Sequence, residues 1–168
     1  MGGPKAELVI DGIRLLDRVV GAARAAGCSP VYAVVREGTH AGEAVVIVNP
    51  EPDRGMRSSL ECAVAAARDV DALAVVLVDN PGISSTAIEA VIGAWTPGRI
   101  AVARYPERSG HPIVMAPELW RAALAVAGPD EGARGFLAAN AELVDEVRVP
   151  GDPSDLDTPD DLARWQAR

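Results

Sequence analysis

Residues 72–82 read Ala-Leu-Ala-Val-Val-Leu-Val-Asp-Asn-Pro-Gly: seven apolar residues run straight into a carboxylate and a turn. An unbroken apolar run of this length fits a strand covered on both faces, because a strand with one wet face alternates polar and apolar positions. Asn80-Pro81-Gly82 then turns the chain away, since proline presets φ and glycine accepts a tight bend. Asp79 is therefore expected at the carboxyl edge of a central strand, with its carboxylate accessible.

Outward from this stretch the hydrophobic pattern alternates between two periods. Residues 31–35 and 44–48 are further short apolar runs and read as buried strands. Leu15, Leu16, Val19, Val20 and Ala23, and later Leu60, Val64 and Ala67, recur at helical spacing. Residues 84–95 read as a helix capped by Ser84 or Ser85. Residues 99–104 read as a strand, followed by a polar turn and a second strand at 112–115. Residues 117–127 and 130–140 look helical, 144–149 is a late strand, and 159–168 is a closing helix. Thr158 is the expected cap of that last helix, with Asp160 and Asp161 in its first turn. Strands alternating with helices imply an α/β fold, an open and mostly parallel sheet with helices on both faces. Ligands of such sheets bind at the carboxyl ends of the strands.

With 168 residues the chain accommodates one domain and one sizeable core. Nearly half of it is hydrophobic (49%) but only 4% is aromatic, so the core rests on Ala, Val, Leu and Ile. A net charge of −8 excludes a nucleic-acid backbone or an anionic membrane as partner, since either needs a basic face. A nucleotide stays compatible, because a divalent metal, backbone N–H groups and one or two basic side chains suffice for its phosphates. Cys28 and Cys62 are too few for a disulfide framework, and both fit small buried hydrophobes in Ala-rich helices. No apolar run approaches the roughly 18 residues that span a bilayer, and a reducing cytoplasm is the default location. Of the sixteen basic residues only Lys5 is a lysine.

The candidates for chemistry follow strand ends. Asp79 offers a hard oxygen ligand on a rigid element. Asp155-Leu156-Asp157-Thr158-Pro159-Asp160-Asp161 follows the last strand, and carboxylates from two strand ends can grip one Mg²⁺ between them. Asp160 and Asp161 fit ordinary helix-start roles; Asp155 and Asp157 precede the cap. Gly2 and Gly3 let main-chain amides approach phosphates, and Lys5 adds a compact counter-charge. Asn49-Pro50 with Gly55-Met56-Arg57-Ser58-Ser59-Leu60 closes another strand and opens a helix, which suits a ribose, a base edge or a phosphate, and equally a plain cap. His111, between Gly110 and a strand, is a substrate contact or a structural histidine. Arg134, in Asp130-Glu131-Gly132-Ala133-Arg134-Gly135, pairs with an anionic substrate or with its own acidic neighbours.

Taken in order, Gly3-Pro4-Lys5, Asn49-Pro50, Gly55-Met56-Arg57-Ser58-Ser59-Leu60, Val78-Asp79-Asn80-Pro81-Gly82, Gly110-His111-Pro112, Asp130-Glu131-Gly132-Ala133-Arg134-Gly135 and Asp155-Leu156-Asp157-Thr158-Pro159 resemble the molybdenum-cofactor nucleotidyltransferases, a MobA-like family, and its cytidylyltransferase branch most of all. The resemblance implies a Rossmann-like three-layer nucleotidyltransferase fold. It implies an enzyme in which the phosphate of a molybdopterin-type acceptor attacks the α-phosphate of CTP or GTP and pyrophosphate leaves. Mg²⁺ would be held by Asp79, then Asp157, with Asp155 the weaker ligand. Lys5 would steady the triphosphate, with Gly2 and Gly3 beside it. Asn49, Ser58 and Ser59 would lie near base and ribose, and His111 and Arg134 on the acceptor side. Partners would extend to a molybdoenzyme or its maturation chaperone. The family opens with a strand and a Gly-rich loop of the pattern Leu-Ala-Ala-Gly-x-Ser-x-Arg. Met1 stands where that loop ends, so the expected domain is short of its first strand and much of its nucleotide cradle.

Three other readings compete. The acceptor could be a sugar phosphate. The protein could bind a nucleotide or cofactor without turning it over. A signalling receiver domain also ends a central strand in an Asp, but it needs a lysine after a late strand, and Lys5 is the sole lysine.

Overall fold

The computed structural model describes residues 5–167. A 3-10 turn at Lys5–Glu7 leads into two very short strands, β1 (Val9–Ile10) and β2 (Ile13–Arg14), paired as a hairpin. Helix α1 (Leu15–Ala25) follows and buries Leu15, Leu16, Val19, Val20 and Ala23, the stripe its spacing predicts. Strands β3 (Tyr32–Val35) and β4 (Val45–Val48) then pair in parallel. Helix α2 (Met56–Ala66) crosses to β5 (Leu73–Val75), and α3 (Ser85–Ala94) crosses to β6 (Ile100–Arg104). The side chain of Ser84 accepts the Ala87 N–H and caps α3. Strand β7 (Ser109–Met115), helices α4 (Pro117–Val126) and α5 (Arg134–Ala139), strand β8 (Val144–Arg148) and helix α6 (Pro159–Gln166) complete the chain.

The layers can be read residue by residue along β6. Ile100 and Val102 pack with Leu60 and Val64 of α2 and with Trp120, Ala123 and Leu124 of α4. Ala101 and Ala103, pointing the other way, pack against Ala87 and Val91 of α3. This period of two puts α2 and α4 on one face of the sheet and α3 on the other. Small alanines on the second face let α3 come close.

Four details differ from the sequence reading. First, β7 runs antiparallel to both β5 and β6 in the sheet β5-β7-β6-β8, while β8 is parallel to β6. Only residues 105–108 join β6 to β7, a link long enough for a hairpin and far too short for a crossover. Three of the four strands still share one direction. Second, β5, expected at the centre, pairs over three residues and is an edge strand of its sheet. Between it and β3 lies an apolar cavity of about 480 Å³, lined by α1, α2, β3 and the stretch from Ala72 to Val78. Third, β4 is not covered on both faces: Val45, Val46 and Val48 are 50%, 45% and 47% exposed. The connection at 36–44 contains no helix to pack on it. Fourth, the helix expected at 130–140 begins only at Arg134, because Glu131 accepts the Gly128 N–H at 3.0 Å and holds 128–131 as a turn. None of the described helices is long and apolar enough to cross a membrane.

Candidate functional site

The reversed direction of β7 decides what meets at the ligand edge. The carboxyl ends of β5, β6 and β8 and the amino end of β7 all lie on that side. The loops after β5 and β8 are tied together there: the Leu156 N–H donates to the Asp79 carbonyl at 2.9 Å. Leu156 is fully buried with Ile10 and Leu15, which anchors the second loop. Gly82 sits where any Cβ would overlap the Asp152 carbonyl, so the turn after Asp79 needs glycine for close approach. Apolar packing thus fixes the two acidic loops side by side.

Lys5 joins them. Its ammonium donates to Asp79 Oδ2 at 2.9 Å and to Asp157 Oδ1, and the Lys5 and Asp79 side chains are 33% and 22% exposed. Partial burial pulls the lysine pKa down, but the hydrogen bonds to Asp157 and Asp79 outweigh it, and the amine titrates above its ordinary value. Asp79 Oδ1 is buried and has no hydrogen-bond partner among the described residues. Two carboxylates converging on one cation, with a spare buried oxygen, fit a divalent metal of the hard-oxygen class. No group of three or more His, Cys, Asp or Glu gathers among the described residues. Among the described residues, the share the protein could offer such a site is Asp79 and Asp157. One or two carboxylates, with phosphate and water filling the other positions, is the arrangement Mg²⁺ favours.

Asp155 faces elsewhere. Its Oδ1 accepts from Asn80 Nδ2, and its Oδ2 accepts from Arg108 at 3.0 Å. Arg108 also donates to the Pro153 carbonyl. Asn80 is buried, so this bond pins the 155 loop onto the turn after β5. The helix start beyond it behaves as expected: Thr158 caps α6 in a capping box with Asp161. The Thr158 hydrogen bonds, followed by the Arg164 contact, bring the Asp161 carboxyl down to about 2.

His111 lies within β7 and not ahead of it. Its Nδ1 is 3.0 Å from the Val75 carbonyl. A carbonyl only accepts, so Nδ1 carries the proton and Nε2 is the acceptor. Burial pushes the imidazole pKa down, more than the Val75 bond and the charges of Asp79 and Asp155 push it up. The ring is neutral at pH 7.

Asn49, Ser58 and Ser59 do come together. Asn49 Nδ2 donates to Ser58 Oγ at 2.8 Å and to Ser59 Oγ at 3.0 Å, and Asn49 Oδ1 accepts the Glu51 N–H at 2.9 Å. Ser58 Oγ lies 3.0 Å from the Glu51 carbonyl and 2.8 Å from the Gly55 carbonyl, and its one proton serves one of them at a time. Asn49 and Ser58 are buried, so the trio ties the end of β4 to the first turn of α2. Gly55, at φ +88°, is pressed against Pro129 and Asp130, which docks the 128–131 turn on the same corner. Arg134 is exposed at the start of α5. Gly2 and Gly3 lie outside the described residues. Asn80 and Arg108 are the functional-edge residues that sequence reasoning missed. Arg108, an isolated cation in the hairpin turn, was the available signal.

The sequence model of the MobA-like NTP transferase domain matches residues 1–146. A curated relative, nicotine blue oxidoreductase of Paenarthrobacter nicotinovorans, is 34% identical over 180 aligned residues, covering 96% of this chain and 87% of that one. Among solved structures, Rv0371c from Mycobacterium tuberculosis H37Rv superposes with a TM-score of 0.85 at 24% identity, over 100% of this chain and 91% of that one. Its complex with manganese gives 0.80 at 24% identity, over 98% and 91%. The 2-C-methyl-D-erythritol 4-phosphate cytidylyltransferase of Thermus thermophilus gives 0.73 at 21% identity, over 99% and 94%.

Proposed function

The chain belongs to the MobA-like NTP transferase family, has the nucleotide-diphospho-sugar transferase-like fold, and from that premise we propose that it transfers a nucleotidyl group from CTP or GTP to a phosphorylated acceptor. The acceptor we propose is a molybdopterin-type cofactor, and the released product is pyrophosphate. The observation that carries the reading is the convergence of Asp79 and Asp157 on one cation at the carboxyl edge of the sheet. The manganese complex of Rv0371c supports a divalent metal, and we propose Mg²⁺.

Asp79 and Asp157 would hold that ion, and when bound it offsets negative charge on the triphosphate and on the leaving pyrophosphate. The remaining work is positioning. Lys5 brings a point charge to the phosphates. Neutral His111 holds an acceptor lone pair at Nε2, and Arg134 offers an exposed guanidinium to an anionic acceptor. The knot of Asn49, Ser58 and Ser59 holds the amino end of α2 rigid beside the base and ribose. Asp155, paired with Asn80 and Arg108, acts by holding its loop in place. No covalent enzyme intermediate is needed, because alignment and charge neutralisation account for this class of transfer. The apolar cavity between β3 and β5 supports the reading of a domain short of one central strand. A cytoplasmic setting, with a molybdoenzyme or its chaperone receiving the product, completes the proposal.

A coupled pyrophosphate assay tests it, with CTP and GTP crossed against a pterin phosphate and a panel of sugar phosphates. Release is expected only with nucleotide, acceptor and Mg²⁺ together, and EDTA is expected to abolish it. Release with a sugar phosphate alone moves the acceptor, and calorimetric CTP binding with no release in any combination favours a binding protein. A second reading, a redox activity, has one observation behind it: nicotine blue oxidoreductase, at 34%, is more identical to this chain than the cytidylyltransferase structure above, at 21%. Redox conversion of nicotine blue, followed by its absorbance, with no pyrophosphate released, would establish that reading instead.

A further inference from the structure

The ammonium of Lys5 lies between the carboxylates of Asp79 and Asp157, one from each acidic loop. It is the only lysine in the sequence, placed among fifteen arginines. An arginine there would spread its charge over a planar fork, whereas an ammonium is compact and close to a small cation in shape. It contacts Asp79 Oδ2 and Asp157 Oδ1 together, while Asp79 Oδ1, buried beside them, is left with no partner among the described residues. The pair therefore has donor capacity that one lysine does not use. Lys5 is also held close by its neighbours: its carbonyl accepts the Leu8 N–H at 3.0 Å, and Leu8 packs against the cluster of Ile10, Leu15 and Leu156. The backbone beside Asp79 and Lys5 is thus anchored, while the Lys5 side chain is partly exposed and long enough to swing aside.

Charge decides what happens when a divalent ion arrives. Two carboxylates and one ammonium carry a net charge of about −1; with a divalent cation in place of the ammonium the cluster is neutral, and with both present it is positive. Metal and ammonium thus compete for the same oxygens. We propose that Lys5 is a tethered counter-ion, which holds Asp79 and Asp157 together in the metal-free protein and is expelled when a divalent cation binds. The expelled ammonium stays on its short tether beside the metal, where an incoming polyphosphate meets both charges. Metal loading then arms the lysine for phosphate, and the protein takes metal before nucleotide. This inference rests on the reading of Asp79 and Asp157 as the metal pair.

Being the sole lysine makes it directly observable. The protein would be treated with an amine-acetylating reagent, with and without MnCl₂, and acetylation at Lys5 read by peptide mass spectrometry against the α-amino group. Mn²⁺ is expected to speed Lys5 labelling several-fold by breaking its two ion pairs; an unchanged or slower rate overturns the proposal. In parallel, Mn²⁺ affinity without nucleotide would be measured by calorimetry for the wild type, Lys5→Met, Asp79→Asn and Asp157→Asn. Removing the competitor is expected to tighten Mn²⁺ binding about tenfold, the scale of two partly exposed ion pairs lost together. Equal or weaker binding by Lys5→Met, with both Asp variants losing Mn²⁺, overturns the counter-ion role and leaves the metal reading standing. Unchanged Mn²⁺ affinity in both Asp variants removes the metal reading and this inference with it. The labelling arm uses unmodified protein, so it stands even if a variant folds poorly.

Discussion

The β3-β4 pair and the four-stranded sheet of this protein are built from similar apolar runs and end up in different situations. In the four-stranded sheet, Ile100, Ala101, Val102 and Ala103 of β6 are all buried between α3 on one side and α2 with α4 on the other. In the two-stranded sheet, β3 is covered by Leu16 and Val20 of α1, yet three of the four valine and isoleucine side chains of β4 stand half in solvent. The acidic pair follows β5 and β8, the edge strands that flank the covered centre of this sheet, and the Asn49–Ser58–Ser59 knot follows β4. Holding ligands to within about 0.5 Å takes such anchoring, and at the acidic pair the buried Leu156 and its bond to the Asp79 carbonyl tie the two loops together. The knot lies beside the exposed face of β4 and an apolar cavity that Ser59 and β5 both help to line.

That contrast can be broken by mutation. Trp120 is 1% exposed and donates its indole N–H to the Leu73 carbonyl at 2.9 Å, so it supports β5 directly. Trp120→Ala is expected to cost about 3–5 kcal/mol in denaturant unfolding, the range for truncating a buried large aromatic. Gly82→Ala pushes a methyl into the Asp152 carbonyl. Its expected cost is about 1–3 kcal/mol, with a fall in metal affinity as the two loops part.

A smaller effect should follow pH. Burial holds His111 below the ordinary histidine value, so below about pH 6.5 the unfolded chain binds a proton that the folded protein resists. Stability supplied by neutral His111 is therefore present above that pH and is lost as the pH falls. Melting temperature should drop between pH 7.5 and 5.5, and the drop should be smaller in His111→Asn, whose amide nitrogen can replace Nδ1. An equal drop in both proteins assigns the effect to other groups. The smallest change is expected on the other sheet: Val46→Thr, on β4, should stay within about 0.5 kcal/mol. A loss comparable to Trp120→Ala there would mean that β4 is covered in solution and would end the contrast.

Much of this was visible in the sequence for identifiable reasons. The α1 stripe from Leu15 to Ala23 follows from helical periodicity, and Thr158 with Asp161 is a capping pattern written in four residues. Asp79 and Asp157 could be singled out because each follows a strand. Other features depend on information that local pattern does not carry. An apolar run looks the same whether or not a helix covers it, so the exposure of Val45, Val46 and Val48 had no signature except the short connection before them. Strand direction is likewise silent in periodicity; the short polar turn between the strands read at 99–104 and 112–115 was the only clue that β7 reverses and carries His111 to the ligand edge. The partners of Asp155 lie 75 and 47 positions away in the chain, at Asn80 and Arg108, and only the folded sheet brings them together.

The central claim is that the carboxylates at the edge of the well-covered sheet carry cation-dependent nucleotidyl transfer. The most direct measurement is pyrophosphate release from CTP with a molybdopterin-type acceptor at saturating Mg²⁺, comparing wild type with Asp79→Asn at matched folding by circular dichroism. The account predicts a fall in kcat of roughly a thousandfold or more, the scale of losing a main electrostatic contributor to the transition state. Turnover by Asp79→Asn within a factor of about two of wild type, on the logic that such a residue contributes no transition-state stabilisation, would contradict it.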